Sequence, residues 1–202
     1  MGNDNVDTIL GNARGLLVCF FLAAATAALL TFLHELAHYL VGAAFDFPGL
    51  TFEPTAVKDT AEAAGLPAWQ RALKSVAGPL VNWSAAAVAC IAARRQLTAQ
   101  WVPVVGLVAT IRGALQGGAY VIASALGRAP SGQGDDELHA AAALNLPALP
   151  VMIVTLGLAI GAWWFLVPRL AARRRLWTLA LLVVGGVAGF VVYARVGALL
   201  MR

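Results

Sequence analysis

Residues 34 to 38 read His-Glu-Leu-Ala-His, an H-E-x-x-H motif. On a helix, residues four apart share a face, so His34 and His38 can reach one metal ion. Neutral imidazoles suit zinc, and Glu35, beside the first ligand, can take a proton from a zinc-bound water. Thr31, His34, Glu35, His38 and Gly42 are spaced 0, 3, 4, 7 and 11 residues from Thr31. They form a single polar or small stripe on an apolar helix, and such a stripe must face a bundle interior and not lipid. With 3 His in 202 residues, the pattern arises by chance in about one chain in a thousand. The bland alternative is a set of isolated polar residues bridging helices.

The elements that must hold this stripe are membrane spans. The motif lies in an apolar run from Leu16 to Phe45 whose only charged side chain, histidines aside, is Glu35. The chain is 60% hydrophobic and 12% charged, with mean hydropathy +0.78. A soluble domain carries about 25% charge, so the composition predicts an all-α integral membrane protein. The whole chain, residues 1–202, reads as a single membrane domain. About five transmembrane helices are expected, over Leu16–Ala44, Val76–Ala93, Trp101–Leu126, Pro150–Val167 and Leu176–Leu200. The first is read as a retained helix, because its apolar run continues well past the signal-like Ala23-Ala24-Ala25. Between the first two spans, Leu50–Val57 alternates and predicts a short strand or hairpin. Asp59–Lys74 predicts a short surface helix broken at Gly65 and Pro67. Asp135–Leu144 predicts a short helix, with Asp135 or Asp136 as its cap. Cys19 and Cys90 lie in apolar runs and read as packing residues.

The net charge of +4 is carried by arginines clustered between spans. This reads as topology signalling and predicts no nucleic-acid partner. Five spans put Arg14, Arg94, Arg95, Arg169, Arg173, Arg174 and Arg175 on the N-terminal side of the bilayer. Lys58, Arg71, Lys74, Arg128 and Arg202 fall on the far side. The count favours a cytoplasmic N-terminal side.

A zinc site needs a third protein ligand and an open position for water. His38 lies seven residues before Phe45, about 10 Å inside the far boundary. Two other segments reach that depth from the same side. The acidic cluster Asp135-Asp136-Glu137, with His139 after it, follows the third span and offers the third ligand. Its alternative reading is a helix N-terminus enriched in acids. The second span opens with Ala77-Gly78-Pro79-Leu80-Val81-Asn82. Gly-Pro there permits close approach and starts a helix. Asn82 is read as a group that hydrogen-bonds a substrate backbone or an oxyanion, or that satisfies its own helix. Arg112, the one basic residue in mid-span, requires an interior partner. Gln116 shares its face. Gly117-Gly118 and Gly185-Gly186 predict close helix contacts, and Trp163-Trp164 with Trp177 predict an interfacial aromatic belt.

At these residues the chain resembles the site-2 protease family of intramembrane zinc metalloproteases. The likeness is carried by HELAH at His34–His38 in a span, AGPLVN at Ala77–Asn82, and an aspartate after a later span. It covers about Leu16–Pro147, and the last two spans add no family motif. The resemblance implies that His34, His38 and an aspartate hold zinc, that Glu35 is the general base, and that Asn82 helps hold substrate. It also implies an extended hairpin within Leu50–Lys74. The third-ligand segment, GQGDDELHAAAALNLP, departs from the family's usual Asp-Gly. Small bacterial members carry a similar acid, short helix and Leu-Pro ending. By that likeness Asp136 is the expected ligand, with Asp135 second and His139 third, and the location a bacterial cytoplasmic membrane. Family members hold zinc nearer the cytosolic face, which gives the opposite orientation to the arginine count.

The reading predicts an intramembrane zinc endopeptidase acting on a membrane-spanning or membrane-adjacent peptide. One rival is a membrane protein that keeps zinc for assembly or sensing. A second is an ion transporter using the histidines, the acids and Arg112, although its polar groups would be spread over both halves of several spans.

Overall fold

A computed structural model describes residues 13–95, 101–128, 135–170 and 175–200. The polar lead before residue 13, most of the loop after Arg128 and the arginines at 173 and 174 lie outside the described residues. The chain is a predominantly helical membrane protein, with five helices among the described residues long and apolar enough to cross a bilayer. They are α1 (Ala13–Ala44), α2 (Ala68–Arg94), α3 (Trp101–Ala125), α5 (Ala148–Leu166) and α6 (Arg175–Leu200). A short helix, α4 (Asp136–Ala143), precedes α5. Among the described residues the only strands are β1 (Thr51–Glu53) and β2 (Ala56–Lys58).

Each boundary has a local cause. Asp46 and Gly49 take positive φ, and Pro48 between them cannot continue a helix, so α1 ends where predicted. The next segment is the predicted hairpin, turning at Pro54-Thr55 with Phe52 opposite Val57. Its base is closed by the Thr60 amide donating to the Pro48 carbonyl. Phe52 packs edge-to-face on Phe32 and Tyr39, two turns apart on α1. That contact fixes the hairpin over the end of α1 that carries the motif.

The second span departs from expectation. The expected short surface helix is only a single 3₁₀ stretch, broken at Gly65 and Pro67 as the sequence indicated. Ala61–Gly65 is a 3₁₀ turn, Pro67 sits at the N-cap, and α2 runs unbroken through Pro79. Pro79 therefore lies inside a helix and does not start one. Its missing N–H costs a hydrogen bond that neighbouring helices can offset in a membrane bundle. Pro67, by contrast, accepts from the amides of Gln70 and Arg71 and suits a helix start.

The two ends of the bundle differ in content. The N-terminal side is a packed apolar core of Cys19 and Ala23 from α1, Val104, Leu107 and Val108 from α3, and Leu166, Leu170 and Leu182. Both cysteines are free. Polar groups gather at the other end. Trp164 and Trp177 point outward, as an aromatic belt requires. Trp163 does not; its indole N–H donates to the Thr110 hydroxyl, 2.7 Å away in the interior. Arg195, inside α6, adds a cation to the far side.

Glycines set the helix spacing. A Cβ on Gly185 would lie 2.6 Å from the Phe20 carbonyl, and one on Gly189 would enter the backbone of Ala24. Gly117 backs on the Met152 carbonyl of α5, while Gly118 and Gly186 meet only side chains. Helix α6 thus rests directly on the α1 backbone. Gly189→Leu is expected to destabilise the bundle by at least ~1–3 kcal/mol. The check is a lower thermal midpoint in detergent, with Gly161→Leu, in open space, as the unaffected control.

Candidate metal centre

The stripe on α1 faces the interior. His34, Glu35 and His38 are 1%, 4% and 6% exposed, on a helix that leaves Phe21, Leu29 and Leu40 exposed on its outer side. Helix α4 enters from the end of α3, and Asp136, its first residue, reaches both imidazoles. Asp136 Oδ2 lies 2.9 Å from His34 Nε2 and 3.5 Å from His38 Nε2, and the two Nε2 atoms are 3.1 Å apart. Tetrahedral zinc, with ligands at about 2.0–2.1 Å, needs ligand atoms roughly 3.3–3.4 Å apart. The observed triangle, 2.9–3.5 Å on a side, is close to that size, and two nitrogens and one oxygen are a donor set zinc accepts.

Of the three candidates for the third position, the structure brings only Asp136 to the histidines. Asp135 occupies the N-cap of α4 in extended conformation, with no capping bond from its side chain. Burial pushes its carboxyl above the usual range. His139 is exposed, lining the polar side of the site without joining the two histidines. For Asp136, burial also works against the charge. Hydrogen bonds with His34 and His38 and the nearby Arg112 cation outweigh it, holding that carboxyl below the usual range.

Two neighbours shape the site, of which the sequence pointed to Gly78 and gave no sign of Lys74. The first is Lys74, whose backbone carbonyl lies 2.6 Å from His38 Nδ1. The Lys74 ammonium pairs with Asp59 and lies over the Phe47 ring, which fixes this end of α2. The second is Gly78. A Cβ there would fall on Nε2 of both histidines. Only a residue without a side chain leaves the ligand atoms open on this side. Gly-Pro was read as permitting close approach, and the approach is to the two imidazoles themselves. Asn82, one turn further along α2, has Nδ2 3.3 Å from His34 Nδ1.

Arg112 finds the interior partners it needs. Its guanidinium NH2 donates to Asp136 at 3.0 Å, and NH1 lies 2.8 Å from His34 Nε2 and 4.0 Å from Glu35 Oε1. Its Nε donates to Gln116 at 3.3 Å. The cation therefore approaches the lone pairs that an ion would use. Arg112, Glu35 and Thr55 also mark the junction of two cavities. One, of about 410 Å³, runs between α1, α3 and α6 and is lined by Leu30, Val108, Leu115 and Phe190. The other, of about 530 Å³, opens beneath the hairpin and is lined by Asp59, Arg71, Lys74, Ser75 and Asp136. An apolar path and a polar path meet at the Glu35 carboxylate.

No protein family, curated protein or solved structure matches this chain. The likeness to site-2 proteases accordingly rests on the sequence motifs alone.

Proposed function

We propose that the chain is an intramembrane zinc metallopeptidase that hydrolyses a membrane-spanning or membrane-adjacent peptide, in a bacterial cytoplasmic membrane. The observation that carries this reading is the triangle of His34 Nε2, His38 Nε2 and Asp136 Oδ2, two of its three corners buried, close to the size zinc needs and set beside a carboxylate where two cavities meet. When bound, zinc supplies Lewis acidity, which lowers the pKa of water and polarises a carbonyl.

The chain's own groups supply the rest. Glu35 accepts a proton from the attacking water and delivers it to the leaving amine nitrogen. Arg112 holds positive charge beside the carbonyl oxygen as that oxygen gains negative charge. The apolar cavity admits the substrate segment from the bilayer, and the polar cavity admits water. A helical peptide bond is shielded by its own hydrogen bonds, so the scissile stretch must be extended. The hairpin, whose Thr55, Ala56 and Val57 border the polar cavity, offers a strand edge for such a stretch to pair with.

The aspartates test the ligand assignment. Asp136→Asn is expected to weaken zinc binding by about 100-fold or more, since it removes a direct ligand where loss of an outer contact alone costs 10–100-fold. Asp135→Asn should stay near wild type. Zinc content and cleavage of a model membrane peptide are the measurements. Full zinc occupancy in Asp136→Asn would overturn the assignment, and a zinc-loaded wild type that cleaves no membrane peptide would favour a binding or sensing role.

A further inference from the structure

Each imidazole in the triangle has a second nitrogen, and what that nitrogen meets decides whether Nε2 presents a lone pair or a proton. For His38 the partner is the Lys74 carbonyl, 2.6 Å from Nδ1. A carbonyl only accepts, so the proton sits on Nδ1 and the neutral ring offers its Nε2 lone pair. For His34 the corresponding partner is the Asn82 amide, 3.3 Å from Nδ1.

An amide offers either an acceptor or a donor, and its two orientations have nearly the same shape. With Nδ2 toward the ring, Asn82 donates to Nδ1 and the ring proton must sit on Nε2. That proton would oppose Arg112 NH1, a donor-only group 2.8 Å from Nε2. The same orientation leaves Asn82 Oδ1 buried without a partner. A half-turn of the amide brings Oδ1 to Nδ1 as an acceptor. Both rings then carry their proton on Nδ1, the conflict with Arg112 disappears, and three lone pairs converge on one point.

We infer that Asn82 is a positioning residue of the metal centre. Its amide oxygen accepts the His34 Nδ1 proton and directs the Nε2 lone pair at the ion, as the Lys74 carbonyl does for His38. This differs from the substrate-holding role that the family resemblance implies for the position, and it rests on the zinc reading above.

The test is titration of the full-length, detergent-purified protein with zinc, and with cobalt followed by its visible absorption. Asn82→Asp keeps an oxygen acceptor, whereas Asn82→Leu keeps approximate volume and has none. Asn82→Asp should bind zinc within about threefold of wild type, and Asn82→Leu should bind 10–100-fold more weakly, the usual scale of a lost outer contact. The cobalt spectrum should change in the leucine variant and be restored in the aspartate variant. Helix content of each variant controls for folding. Equal zinc affinity in wild type and both variants, with only cleavage reduced, would overturn the positioning role in favour of substrate contact. Equal weakening in both variants would also overturn it, because the acceptor would then be irrelevant. A wild-type protein that binds neither metal overturns the zinc reading itself, a result distinguishable from the other two.

Discussion

Glu35→Gln should lower peptide cleavage by about 10²–10⁴-fold, the usual contribution of a positioned general base, and leave zinc content unchanged. Glutamine keeps the size and polarity of the side chain at a position only 4% exposed, but it cannot accept a proton. The metal should stay because the three groups gathered for it are His34, His38 and Asp136. Arg112 loses one charge partner 4.0 Å away and keeps its shorter bond to Asp136, so the local fold should hold. Zinc analysis beside a cleavage assay on a membrane peptide decides the matter. Loss of zinc together with activity would make Glu35 a structural member of the site. Retention of zinc and of cellular function without cleavage would mean that proteolysis is not what the protein is for.

Gly78→Ala has the second large effect. Alanine in a helix interior is worth roughly 0.5–1 kcal/mol over glycine, so α2 itself should gain. The added methyl group, however, would occupy the space at Nε2 of both His34 and His38. The imidazoles cannot simply move aside, since His38 is tied to the Lys74 carbonyl and both rings to Asp136. Zinc affinity should fall by about 100-fold or more, beyond the effect of one outer contact, and metal-free thermal stability should fall as well, because overlap at a packed position costs about 1–3 kcal/mol against that gain. A zinc titration and a melting curve on the same preparation check both halves. Unchanged zinc affinity would show that the rings can shift, and would remove the close approach of α2 as a requirement of the site.

Much of this arrangement is legible in the chain because it depends on local pattern. The apolar runs define the five spans, since a bilayer requires length and hydrophobicity and little else. The pairing of His34 with His38 follows from the helical period. The turn residues after Phe45 and the alternation in Leu50–Val57 announce the hairpin, and the far-side depth of the acidic cluster follows from counting spans.

Tertiary structure decided what local pattern leaves degenerate. Helices α5 and α6 are apolar on nearly every face, so periodicity does not say which face packs. Trp163 turns inward and Trp164 outward on that account, and Gly189 meets α1 where Gly186 does not. The choice among Asp135, Asp136 and His139 depends on where α4 begins and how it is rotated against α1. Neighbouring helical residues point about 100° apart, so only one carboxylate of an adjacent pair can face the histidines. The Lys74 carbonyl carries no side-chain signature because it is backbone, and Gly78 signals a close approach without saying to what. By itself the sequence determined a membrane bundle with two histidines and a glutamate on one buried stripe. The folded chain decided which acid joins them and which groups hold them open, because those depend on the phase of one helix against another.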